Sequence, residues 1–166
     1  MLAGCTAALV ADGWHVVVPS RRHAPIPANV PRQGPHPQAL WVATDWSDPE
    51  VLADRAGRAL GGPADLLVAW VHREYRVAVM KAVRPLLTPD AAVVEVHGSS
   101  HLDPQPTLPD HPTQQVVLGL VGEGESTRWL NHKEISAGVL AAVRRALSGR
   151  HPGVFQVGEA PLIVGS

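Results

Sequence analysis

The chain has 166 residues, enough for one domain around one core. With 45% hydrophobic and 17% charged residues it is not of the disordered class, and no apolar run approaches the roughly 18 residues of a membrane-crossing helix. A formal net charge of −1 argues against a nucleic-acid partner held through its phosphates, and a lone cysteine, Cys5, excludes an intrachain disulfide or a cysteine-rich metal site.

No basic cluster leading into an apolar stretch opens the chain, so a cytoplasmic protein without a secretory leader is expected. Met1 to Asp12 reads as a short alanine-rich helix with Leu2, Cys5, Leu9 and Val10 on its buried side, ended by Gly13. His15 to Pro19 is a β-branched strand. His23 to Gln38 carries Pro25, Pro27, Pro31, Pro35 and Pro37 and cannot form a regular helix. Ala39 to Thr44 is a second strand. Ser47-Asp48-Pro49-Glu50 is a helix start in which Ser47 can cap and Glu50 can reach back, and the helix runs to Leu60 before Gly61-Gly62-Pro63.

Asp65 to His72 is almost wholly apolar, as a central parallel strand would be. Glu74 to Leu87 places Val79, Met80, Val83 and Leu87 at helical spacing, with Pro85 bending or ending the helix. Ala91 to Val96 is a strand closed by Gly98. Ser99 to Thr113 is a second proline-rich stretch, and Gln114 to Val121 reads as a strand. Gly122-Glu123-Gly124-Glu125 reads as a turn. Asn131-His132-Lys133-Glu134 opens the clearest helix, with Ile135, Val139, Leu140, Val143 and Leu147 on one face and Arg144 and Arg145 in its last turn. Gly153 to Gly158 is a final strand.

Mostly alternating strands and helices predict an α/β fold: a mostly parallel sheet flanked by helices, in one domain over 1–166. Ligands of such sheets bind outside the carboxyl ends of the strands, and both proline-rich stretches leave those ends. Loops of about fifteen residues are often functional, although plain surface connection is the alternative.

Met1-Leu2-Ala3-Gly4, then Gly13-Trp14-His15-Val16-Val17-Val18 and Ser20-Arg21-Arg22, resemble a short-chain dehydrogenase/reductase-like protein just after its glycine-rich turn. Asp45, Ala69 to His72, Gly98-Ser99 and the helix start from Trp129 to Gly138 continue the resemblance. It implies a Rossmann-like fold that lacks the first strand and glycine-rich loop, hence an N-terminally incomplete domain, with Gly4 matching the last glycine. In that family the helix after the turn holds the pyrophosphate at its N-terminus. The resemblance therefore puts Arg21 and Arg22 at the adenosine ribose, favouring NADP over NAD, Asp45 near the adenine, and Ala69, Trp70 and Val71 beside the nicotinamide ribose. The alternatives are two solvated arginines, a turn residue and a buried strand. Without the first strand its neighbours lose ladder partners, and pyrophosphate would be held weakly or not at all. A methionine internal to a longer reading frame would explain the gap.

The family's proton donor is a tyrosine four residues before a lysine. Here Tyr75 is the sole tyrosine and residue 79 is valine, so that device is not supported. Ser99 stands where the family has a substrate-orienting serine and is the one weak catalytic candidate, with a structural turn as the alternative. His97, His101 and His111 suggest a metal only faintly, since the spacing falls across a strand end, and no metal is expected. No Gly-x-Ser-x-Gly elbow exists. The expectation is an NAD(P)-dependent oxidoreductase of unknown small-molecule substrate, or a non-catalytic dinucleotide-binding or sensor protein on the same scaffold. Neither nucleic acid nor membrane is an expected partner, and the late helix leaves room for a homodimer.

Overall fold

The computed structural model describes residues 1–22, 38–98 and 104–160. Most of the first proline-rich stretch, together with Ser99 and His101, lies outside them. The elements are α1 (Ala3–Ala11), β1 (Val16–Ser20), β2 (Ala39–Ala43), α2 (Pro49–Leu60), β3 (Ala64–Ala69), α3 (Arg73–Val83), β4 (Leu87–His97), β5 (Thr113–Leu118), β6 (Leu120–Glu123), β7 (Ser126–Trp129), α4 (His132–Leu147) and β8 (Gly153–Val157).

The expected parallel architecture is present, but in two pieces. β1 and β2 pair in parallel, Val16 opposite Ala39. β3, β4, β5 and β8 form a separate parallel sheet in that order, with Leu67 opposite Val93, Glu95 opposite Gln115 and Val116 opposite Phe155. Antiparallel β6 and β7 form a hairpin outside both. No hydrogen bond joins β1 to β3. α1 and α4 pack together on one face, and α2 and α3 on the other.

The alternation of each strand decides which residues meet which helices. Val94, Val96 and Val116 are fully buried against Val139 and Val143 of α4, beside Cys5 and Leu9 of α1. Val16 of β1 and Leu66 and Val68 of β3 pack on this same cluster. On the opposite face Leu52 of α2 meets Val71, Val79 and Val83, with Leu67 against them. Among the described residues no helix is long and apolar enough to cross a membrane.

Several expected boundaries move. Asp48, not Ser47, caps α2: its Oδ1 accepts from the Val51 N–H at 3.3 Å, while Ser47 donates its own N–H to Asp45. Leu87, expected on the third helix, begins β4, because Pro85 turns the chain through a short 3-10 segment, Arg84–Leu86. The strand expected to run to Val121 breaks at Gly119. A Cβ there would lie 2.1 Å from the Glu159 carbonyl oxygen, so only glycine admits that approach, and the next residue, Leu120, bridges to Glu159. The turn at Gly124 (φ +65°) then folds β7 back on β6, a strand the sequence pattern did not suggest. Leu147 is exposed rather than part of the buried face.

The capping box at α4 is as expected. Asn131 Oδ1 accepts from the Glu134 N–H at 2.9 Å, and Glu134 Oε2 accepts from the Asn131 N–H at 2.8 Å. Arg128 of β7 clasps both Glu134 oxygens, at 2.9 and 2.8 Å, and also reaches Glu123, so the hairpin is tied to the start of α4. The paired Arg128 and the Asn131 N–H hold the Glu134 carboxyl down at about 2. Asn131→Ala should cost about 1 kcal/mol, read as a lower denaturation midpoint. A depressed carboxyl stabilises the fold above its ordinary value of 4.5 and loses that effect as pH falls towards about 2. Acid titrations of stability should therefore be flatter over that window in Glu134→Gln than in the parent.

Candidate functional site

The carboxyl ends of β1, β2 and β3 converge on one edge. Arg21, just past β1, lies 4.8 Å above the Trp46 ring that follows β2. Trp46 meets His72, after β3, edge-on at 4.9 Å and stacks against Tyr75 of α3 at 6.5 Å. The two sheets thus point the same way, and their strand ends share one aromatic cluster. Asp45 joins it: the Ser47 N–H, and then nearby Arg21, hold its carboxyl below the usual range. Arg21 and Asp45 are therefore neighbours. Arg22 is exposed, and its carbonyl accepts from the Ser20 hydroxyl.

The end of β3 is divided between the two faces. Trp70 packs on the α1 and α4 side, Val71 on the α2 and α3 side, and Ala69 against Met80, Val93 and Leu108. Gly4 sits in the first turn of α1, where a Cβ would come within 3.2 Å of the Ser136 side chain. Ser136, buried on α4, donates to the Met1 carbonyl at 3.0 Å. The N-termini of α1 and α4 accordingly lie side by side, and a cavity of about 430 Å³ between them is lined by Met1, Ala3, Gly4, His132, Lys133 and Ser136. The α1 N-terminus and Lys133 face this cavity, while the α4 N-terminus is already taken by Asn131 and the Glu134 carboxylate. Cys5, directly after Gly4, is no nucleophile, since burial pushes its thiol up to about 11.

A second cluster lies deeper at the same edge, on the α3 side. Arg76, buried in α3, donates to the carbonyls of Val71 at 2.9 Å and Val96 at 3.0 Å and to His97 Nδ1. An arginine can only donate, so Nδ1 accepts and the His97 proton resides on Nε2. That nitrogen stands 3.8 Å from Glu95 Oε2. Glu95 Oε1 accepts from the Thr107 N–H at 2.8 Å and from its hydroxyl at 2.5 Å. Gln115, beside Glu95 across the strands, donates to the Pro104 carbonyl at 3.0 Å. Glu95 and His97 are 1% and 2% exposed, so this charge is held inside the protein. His111 is held apart from them by the Ala91 carbonyl, at 3.1 Å from its Nδ1. No group of three or more metal-ligating side chains occurs among the described residues.

No protein-family model matches the chain, and no curated protein matches it. Among solved structures it is similar to an apo SCOR enzyme from Clostridium thermocellum, with a TM-score of 0.64 at 14% identity, over 93% of this chain and 85% of that one. The chain shares the Rossmann-like fold of that structure, a mostly parallel sheet flanked by helices.

Of the residues singled out from the sequence, Arg21 and Asp45 meet at one cluster, whereas Gly4 and Trp70 face the α1 and α4 side. Ser99 lies outside the described residues. Sequence reasoning gave no site role to Trp46, Lys133, Arg76 or Glu95, placed His72 only at a strand end, and weighed His97 only as a faint metal ligand. The position of His72 directly after an apolar strand was a usable signal. Nothing in the sequence marks Arg76, whose burial depends on two strand ends coming together. Replacing Arg76 by leucine would strand the Val71 and Val96 carbonyls and remove the cation nearest the buried Glu95. We expect a loss of about 3–5 kcal/mol in urea denaturation, and Arg76→Lys should recover little of it, because an ammonium cannot span the three acceptors.

Proposed function

We propose that this protein binds NADP(H), or less favourably NAD(H), as an oxidoreductase of the short-chain dehydrogenase/reductase type acting on a small molecule. The observation that carries the reading is the meeting of Arg21, Asp45, Trp46 and His72 at the carboxyl ends of the parallel strands β1, β2 and β3. The adenosine end would lie by Arg21, Arg22, Asp45 and Trp46, with an arginine answering a 2′-phosphate. The diphosphate would face the N-terminus of α1 at Gly4, within reach of Lys133, and the nicotinamide ribose would lie along Ala69, Trp70 and Val71. When bound, the nicotinamide supplies hydride transfer; these residues bind and orient it. α1 is read as the helix whose N-terminus faces the diphosphate.

A second reading, nucleotide binding without turnover, is favoured by the surroundings of Tyr75. Its ring stacks on Trp46, and the residue one helical turn on is the buried Val79 rather than a lysine. Ser99 remains the proposed substrate-orienting group. The test is a titration of NADPH and NADH against the chain as given and against a version carrying the codons upstream of Met1, followed by a screen of carbonyl substrates. Micromolar NADPH binding with turnover supports the oxidoreductase, and binding without turnover supports the second reading. No binding by either protein overturns both. Arg21→Ala should weaken NADPH about tenfold, as expected for one charge-assisted contact of roughly 1.5 kcal/mol, and leave NADH nearly unchanged.

A further inference from the structure

The amino ends of β3, β4 and β5, opposite the strand ends that carry Arg21 and His72, border a separate cavity of about 430 Å³. Asp65 of β3, Asp90 of β4 and Gln114 of β5 line it, together with Ala146 and Leu147 from the last turn of α4. Arg150 and His151, on the loop from α4 to β8, complete the wall. The charges are sorted along the strand order β3-β4-β5-β8. Ala64 pairs with Leu87 but Leu66 pairs with Ala92, a register shift that sets Asp65 against the stretch carrying Asp90. Both carboxylates therefore lie on the β3–β4 side, and Arg150 and His151 lie on the side that leads into β8. Between them the floor, made by Ala92, Pro112 and Gln114, is uncharged.

The two sides do not satisfy each other. Among the described residues neither Asp65 nor Asp90 pairs with a cation, and neither Arg150 nor His151 pairs with a carboxylate. Like charges on adjacent strands repel, and the C-terminal end of α4 adds the negative pole of its dipole, so the cavity favours a positive group from outside. Gln114 points to the same need. It is 1% exposed, and its Nε2 donates to the Arg150 carbonyl at 3.2 Å and to the His151 carbonyl at 2.9 Å. Those two acceptors fix which end of the amide is which. Oε1 is then a buried acceptor with no partner among the described residues, and a buried acceptor without a donor is costly.

We propose that this cavity is a binding site for a small zwitterion of the amino-acid type. Its ammonium sits with Asp65 and Asp90 and donates to Gln114 Oε1, and its carboxylate takes the Arg150 guanidinium and a ring N–H of His151. β4 and β8 are two strand spacings apart, about 10 Å. An aspartate reaching in from one side and an arginine from the other leave a few ångströms between their charges, which is the span of a small amino acid. A lone cation would leave Arg150 unmatched, and a lone anion would meet two carboxylates. The site stands at the opposite end of the strands from the nucleotide reading and does not rest on it.

The probes are L-alanine and γ-aminobutyrate, whose charges stand at two separations, with propionate and isopropylamine as single-charge controls. Each is titrated into the isotope-labelled full chain and followed by amide chemical shifts. At least one zwitterion should bind saturably below about 10 mM, moving the Gln114 side-chain amide and the backbone amides of Gly149 to His151 while the Arg21 and Trp46 signals stay in place. Each control should bind at least tenfold more weakly. Asp90→Asn and Arg150→Gln alter exposed side chains, should fold like the parent by circular dichroism, and should each weaken the zwitterion at least tenfold. No saturable shift with either zwitterion would overturn the proposal, as would full affinity in either variant. Equal binding of propionate or isopropylamine would also overturn it, in favour of a site for a single charge. Nucleotide enters none of these readouts, so the outcome is separate from that of the NADPH titration.

Discussion

The described residues are arranged around two parallel sheets that share a hydrophobic core but, among those residues, no hydrogen bond. Backbone N–H and C=O groups taken from water must find partners, and the inward edges of β1 and β3 are the places where that requirement is unmet by any described strand. Among the described residues the pieces are held in register by shared apolar burial and by the Arg21–Trp46–His72 contacts. α1 spans from β1 to α4, and α2 spans from β1 to α3, so each helical layer bridges both sheets. Such a joint resists separation, because Val16, Leu66 and Val68 would be exposed together. It does little to resist local opening along the edges, where ladder bonds are missing. Stability should accordingly be graded, highest at Val94, Val96 and Val116 beneath α4 and lowest along β1.

The polar chain at the carboxyl edge answers a different constraint. On the α3 side, β4 and β5 are covered by an irregular segment carrying Pro104, Thr107 and Leu108 and not by a described helix. An irregular segment brings its own unpaired backbone groups, and a purely apolar strand surface could not satisfy them. Glu95 takes the Thr107 N–H and Gln115 meets the Pro104 carbonyl. The carboxylate then needs a counterion, which Arg76 supplies through His97 while closing two strand-end carbonyls. One arginine therefore compensates a buried charge and fixes the relative heights of β3 and β4. The same pair of strand ends flanks the proposed nicotinamide position.

Much of the architecture could be read from the residues, because it depends on signals that are local. The β-branched residues Val16–Val18 and Val93–Val94, the glycine after Leu60 and the capping box at Asn131 each act within a few residues, and the element each marks is present. Elements fixed by distant contacts were not legible. The break at Gly119 exists because Glu159 approaches from forty residues away, and the β6–β7 hairpin is held by Arg128 reaching into α4. The division of the sheet is an intermediate case. Resemblance to a nucleotide-binding family suggested a missing strand, but only the registers show which backbone groups are left facing inward. For the candidate site the pattern was the same. Arg21 and Asp45 stand at strand ends and could be located by counting, whereas Arg76 becomes important only once Val71 and Val96 are brought together.

The division of the sheet and the nucleotide reading meet at α1. A phosphate bound at a helix N-terminus is held by N–H groups whose direction depends on the helix being fixed along its length. α1 is anchored on one flank by Ser136, whose hydroxyl bonds the Met1 carbonyl, and by the close fit of Gly4 against the same side chain. On its other flank it rests on β1 and β3, which share no ladder among the described residues. The side of α1 that packs on Val16 and Leu66 is therefore supported by side-chain burial, and its opposite flank by the hydrogen bond and close fit to Ser136.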